Sequence, residues 1–105
     1  MPKYILAYHG GGGMSDDPAE VERLMAEWGA WFGALGDGVV DGGNPVGAAR
    51  TVAADGTVSD GGGANPLTGY SIIAAADMDA AVAHASGCPV LAAGGSVEVG
   101  EAIDM

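Results

Sequence analysis

His9 is the side chain best placed to do chemistry. It ends an apolar and aromatic run, Tyr4-Ile5-Leu6-Ala7-Tyr8, and four glycines follow it at 10–13. The run predicts a strand and the glycines end it, so an imidazole stands where a rigid element gives way to a pliable loop. An imidazole in that setting serves as acid or base near neutral pH. Asp41, at the close of the second strand, is the acid expected to complete the pair, which makes His9 and Asp41 the candidate catalytic residues. The plainer alternative is a strand-end histidine bonded to a backbone carbonyl. Asn44 stands before Pro45, Asn65 before Pro66, and Tyr70 opens a second apolar strand. Antiparallel pairing would gather Asp41, Asn44, Asn65 and Tyr70 at one end of the sheet. Asn44, Asn65 and Tyr70 are therefore the candidate ligand-binding set, although Asn before Pro also caps turns through its own side chain.

Other chemistries fail on composition. The glycines at 10–13 lack a following Gly-Lys-Ser/Thr, and a G-x-G-x-x-G pattern breaks at Ser15 or Asp16. Asp16 and Asp17 would also repel a phosphate from the helix start that follows. Two histidines and one cysteine, on separate elements, do not make a zinc set, so no metal and no cofactor is expected. His84 and Cys88 are four apart, which allows a nucleophile pair. Cys88, alone and beside Pro89, reads instead as a small buried packing residue, and His84 as a surface or half-buried one.

The elements that must position these residues are marked by their caps. Asp17-Pro18-Ala19-Glu20 opens a helix, with Asp17 as N-cap, Pro18 at the first helical position and Glu20 completing a capping box. Val21, Leu24, Met25, Trp28, Trp31, Phe32 and Leu35 form its apolar face, and Gly36 ends it. Val39-Val40 begins the second strand, closed by Gly42-Gly43-Asn44-Pro45. Arg50-Thr51-Val52 and Thr57-Val58-Ser59 flank Ala54-Asp55-Gly56, which predicts a hairpin with Asp-Gly at its tip. Residues 70–74 are apolar and suit the centre of a sheet. A second helix starts at Asp77, buries Met78, Ala81, Val82 and Ala85, and stops at Gly87 with Pro89 blocking continuation. Val97 and Val99 alternate with Ser96 and Glu98, as in a half-exposed edge strand.

At 105 residues the chain is a single domain, 1–105, and six aromatic side chains supply its large buried surfaces. Three basic residues, Lys3, Arg23 and Arg50, stand against fourteen acids, for a net charge of −11. That surface repels phosphate backbones and anionic lipid, which excludes nucleic-acid and membrane-surface roles. The lone Cys88 fits a reducing compartment, and the opening apolar run is too short for a signal core or a membrane span. A cytoplasmic location is expected.

Several pieces, in order, carry a family resemblance: the Lys3-Tyr4-Ile5-Leu6 opening, the helix with Trp28 and Phe32, the step Val58-Ser59-Asp60-Gly61, then Gly69-Tyr70, Cys88-Pro89 and Gly95-Ser96-Val97-Glu98-Val99. Over nearly its whole length the chain resembles the YCII-related (DGPF-type) family. It departs from the Asp-Gly-Pro-Phe motif, because Asp60-Gly61 is followed by Gly62-Gly63. The resemblance implies a dimeric α/β-barrel-like assembly with a small pocket between helix and sheet. It also implies, for a few relatives, lyase-type activity on small ring compounds through a first-helix His paired with an Asp. No His lies between Asp17 and Leu35; the comparable stretch here is near Glu27 and Trp28.

The expected fold is α+β: a ferredoxin-like β-α-β-β-α-β sandwich with an extra β-hairpin, forming a dimeric α/β barrel. The two apolar strands lie inside the sheet, both helices cover one face, and the other apolar face calls for a second copy. The expected function is a homodimeric, non-catalytic small-molecule-binding or accessory protein. The alternative is a lyase- or isomerase-like enzyme using His9 as acid or base.

Overall fold

The computed structural model describes residues 1–11 and 17–104. Along the chain run β1 (Lys3–His9), α1 (Pro18–Leu35), a 3-10 turn (Gly36–Gly38), β2 (Val39–Asp41), β3 (Arg50–Val52), β4 (Val58–Asp60), β5 (Leu67–Ala74), α2 (Met78–Ala85), α3 (Pro89–Ala92) and β6 (Ser96–Ala102). Four strands form one antiparallel sheet in the order β2-β5-β1-β6, and β3 and β4 pair as a separate ribbon. The molecule is mixed α+β. The two apolar strands are the inner ones, and the alternating Ser96-to-Val99 segment lies in an edge strand.

Alternation divides the sheet into two unlike faces. Tyr4, Leu6 and Tyr8 of β1 are buried on the helix side, next to Ser71 and Ile73 of β5. Trp31 of α1, Ala81 and Ala85 of α2, and Cys88 and Val90 around α3 close over them. Trp28 meets the Tyr8 ring edge-on at 5.1 Å and Trp31 at 5.7 Å. The Trp31 indole N–H donates to the carbonyl of His84 at 3.0 Å, fastening α1 to the end of α2. On the opposite face stand Ile5, Ala7 and His9 of β1, Tyr70 and Ile72 of β5, and Glu98 and Gly100 of β6. No helix covers that face among the described residues; the 65–66 segment closes over His9 at one end, and Ile5 is 43 % exposed.

Helix starts follow the caps. Asp17 accepts from the Ala19 amide at 3.1 Å and Asp77 from the Ala80 amide at 2.8 Å. Three expectations need correction. Met25 is exposed, because at about 100° per residue it lies at the margin of a stripe centred near Leu24 and Leu35. Met78 and Val82 are exposed too, since the small Ala81 and Ala85 form the side of α2 pressed on the sheet. Pro89 does not simply block the chain: it occupies the first position of α3, where a missing N–H costs nothing.

One buried polar chain crosses the sheet. Tyr8 donates its hydroxyl hydrogen to Ser71 Oγ at 2.7 Å, and Ser71 donates to the carbonyl of Gly42 at 2.8 Å. The contact brings the segment after β2 against β5, where Gly43 takes φ 74° and a Cβ would run into the Tyr70 carbonyl.

Candidate functional site

The register of three strands sets the small Ala7 between two larger residues on the open face. Ala7 pairs with Tyr70 on one side and with Glu98 on the other. Strands lie about 4.8 Å apart, so a methyl group forms the floor between a phenol and a carboxylate. Ile5 and Ile72 continue the floor in one direction, and His9 closes the other. The Tyr70 hydroxyl accepts from Asn44 Nδ2 at 3.3 Å, and the Tyr70 amide donates to the Asn44 carbonyl at 3.2 Å.

His9 is held on both sides. Its Nδ1 lies 3.0 Å from the carbonyl of Asn65 and 3.2 Å from that of Pro66. Carbonyl oxygens only accept, so Nδ1 carries a hydrogen. Nε2 lies 3.2 Å from Glu98 Oε1, and the ring itself is only 12 % exposed while the Glu98 side chain is 74 % exposed. With Nε2 protonated as well, this contact becomes an ion pair and every ring hydrogen has an acceptor.

The placement of the expected residues is thus mixed. His9 and Asn65 meet, through the Asn65 backbone rather than its amide side chain, and Asn44 meets Tyr70. Asp41 does not join His9. It pairs with Ile72, which pairs with Ile5, leaving it two strands away and four residues down, on the order of 13 Å along the strand direction alone. Its carboxylate instead accepts from the Gly43 amide at 2.8 Å, closing a turn. The acid beside His9 is Glu98. Its alternation with Val97 and Val99 put it on the right face, but only the β1–β6 register shows which residue it reaches. Of the glycines at 10–13, Gly12 and Gly13 lie outside the described residues, as do Ser15 and Asp16.

On the helix side of the sheet Tyr4, Tyr8 and Cys88 are packed away. Burial is the main cause that pushes the Tyr8 phenol up to about 12, and burial also pushes the Cys88 thiol up. Cys88 lies against Tyr8, and His84 is exposed. Among the described residues no three His, Cys, Asp or Glu side chains come together as a metal site, and no helix is long and apolar enough to cross a membrane. A separate groove of about 360 Å³ lies between α2, α3 and β6, lined by Val82, Ala85, Ser86, Leu91, Val97 and Val99. No protein-family model matches the chain, and no curated protein is similar to it.

Proposed function

We propose that the chain is a YCII-related, ferredoxin-like subunit of a cytoplasmic homodimer, a dimeric α/β barrel that binds a small ring compound in the space over Ala7 without transforming it. Sheet face packs on sheet face, so that space, beside Tyr70, Glu98 and His9, is enclosed between the two copies. The size of the surface supports pairing. The chain exposes 6791 Å², against about 5,300 Å² for a compact monomer of its mass. The excess is larger than the roughly 800 Å² that each partner contributes to a standard interface.

The observation that carries the non-catalytic reading is the engagement of both His9 nitrogens by acceptors of the same chain. A general acid or base must present one of them to the reacting atom. The lyase- or isomerase-like alternative has one observation in its favour: Glu98 is mostly exposed, and its displacement by a substrate would free Nε2 while keeping a carboxylate nearby.

Phenol and benzoate titrated into labelled protein provide the test. Binding over Ala7 shifts the amide resonances of Ala7, Tyr70 and Glu98, and both compounds are recovered unchanged. Shifts confined to Val82 and Leu91 would move the site to the groove. Conversion of a related ring compound that disappears in His9→Gln would establish the enzyme instead.

A further inference from the structure

One side of the β3–β4 ribbon carries two valines that no described residue covers, beside an Arg50–Asp60 ion pair at 3.7 Å. Val52 pairs with Val58 and Arg50 with Asp60 on one side, while Thr51 pairs with Ser59 on the other. Val52 is 68 % exposed and Val58 56 %, and every residue from 50 to 60 is exposed. Its visible support is internal: the Ala53 and Gly56 turn bonds, the Gly61 amide on the Ala49 carbonyl, and the Thr51 hydroxyl on the Gly61 carbonyl. A two-stranded ribbon with an uncovered valine pair is marginal in water. The same chain holds an uncovered apolar groove at the far edge of the sheet, where Val82 is 47 % and Leu91 40 % exposed.

Symmetry relates the two. The ribbon joins the sheet beside the start of β5, on the β2 side, with the bridge Pro45–Gly69 at its base. The groove includes Val97, close to the start of β6, and His9 pairs with both Leu67 and Ser96, so ribbon and groove lie at the same end of the sheet and at opposite edges. Two sheets packed face to face about a two-fold axis parallel to their strands place the β2 edge of each copy over the β6 edge of the other, with like ends together. A two-fold axis across the strands would bring β2 onto β2 instead.

We infer that the β3–β4 ribbon is an arm that wraps the edge of a second copy of this chain and seats Val52 and Val58 in its groove between α2, α3 and β6. The inference rests on the sheet-face dimer proposed above and fixes its axis. It gives one origin to three features of the isolated chain: the excess surface, the unsupported ribbon and the open groove. It also assigns the groove to the partner, leaving the space over Ala7 to the ligand.

Single-cysteine chains in a Cys88→Ala background test it. A tagged chain carrying Val52→Cys or Val58→Cys is mixed with an untagged Leu91→Cys chain and oxidised. The expected product is a covalent heterodimer on a non-reducing gel, and Val58→Asp is expected to raise the dimer dissociation constant on the order of tenfold. A disulfide-closed monomer from the double variant Val58→Cys, Leu91→Cys would overturn the inference, since the arm would then serve its own groove. No heterodimer from either valine position, with sedimentation still giving a dimer that Val58→Asp leaves unchanged, would overturn the arm and spare the sheet-face pairing. A monomer at every concentration would remove both.

Discussion

Tyr8 joins three parts of the molecule through one hydroxyl group, and that hydroxyl has a measurable cost of loss. In Tyr8→Phe, Ser71 keeps its bond to the Gly42 carbonyl but loses its incoming donor, so urea unfolding at neutral pH should show a loss of about 1 kcal/mol. The pH dependence has a definite sign. The Tyr8 phenol titrates near 10.0 when unfolded and at about 12 in the fold. Below 10 both states keep the proton and stability is unaffected. As pH rises from there through about 12, the unfolded chain gives up the proton that the fold retains, so stability falls. Cys88 and Tyr4, each raised first by burial, act in the same direction, so Tyr8→Phe should blunt the alkaline loss rather than abolish it. At this scale the sequence marks His9, a polar residue at the end of an apolar strand, whereas Tyr70 lies inside β5 rather than at its opening, because the strand already starts at the less uniformly apolar Leu67-Thr68-Gly69. The sequence misassigned the acid, since choosing between Asp41 and Glu98 depends on strand register, which no local pattern records.

Local chemistry carried most of the information about elements. Asp17-Pro18 and Asp77 start helices by satisfying free amides, and Ala54-Asp55-Gly56 turns the ribbon, with Asp55 accepting from the Thr57 amide at 2.9 Å. The α3 turn was missed because Pro89 was read as a stop, although the same fixed φ that ends a helix also starts one. The burial of α2 was overstated because alanine, not the larger Met78 and Val82, faces the sheet. The segment after β2 gives the sharpest prediction at this level. Gly43→Ala must accommodate both a positive φ and a Cβ that meets the backbone of β5. It should lose on the order of 2–3 kcal/mol in denaturant unfolding. Gly47→Ala, where an added Cβ meets nothing within 4 Å, is the control and should stay within about 0.5 kcal/mol.

For the whole molecule, shape and charge pull in different directions. The extents of 43 × 42 × 19 Å describe a plate one sheet and one helix layer thick. Its radius of gyration of 14.9 Å exceeds the roughly 13 Å of a compact chain this long. Such a plate gains by stacking on a second copy. Each copy carries −11, so two copies bring −22 together, and their repulsion opposes assembly. Added salt screens that repulsion. Sedimentation at about 0.05 M and 0.5 M sodium chloride should therefore show the tighter dimer at the higher salt; weakening with salt would point to interface ion pairs instead. The sequence exposed this imbalance plainly, along with the apolar inner strands, but the ribbon's isolation from the core emerged only from the fold.

The two tryptophans of the chain stand edge to face, and Trp28 also abuts Tyr8. All of the indole emission therefore originates from one spot, the seam between α1 and the sheet. Indole fluorescence will follow the lifting of that helix from the sheet and from the end of α2, where Trp31 donates to the His84 carbonyl. An arm that swings free, or a second copy that departs from the opposite face, leaves the glow of the protein unchanged. A flat emission trace during dilution thus marks an intact seam, and the loss of the partner has to be watched with a dye placed on the ribbon.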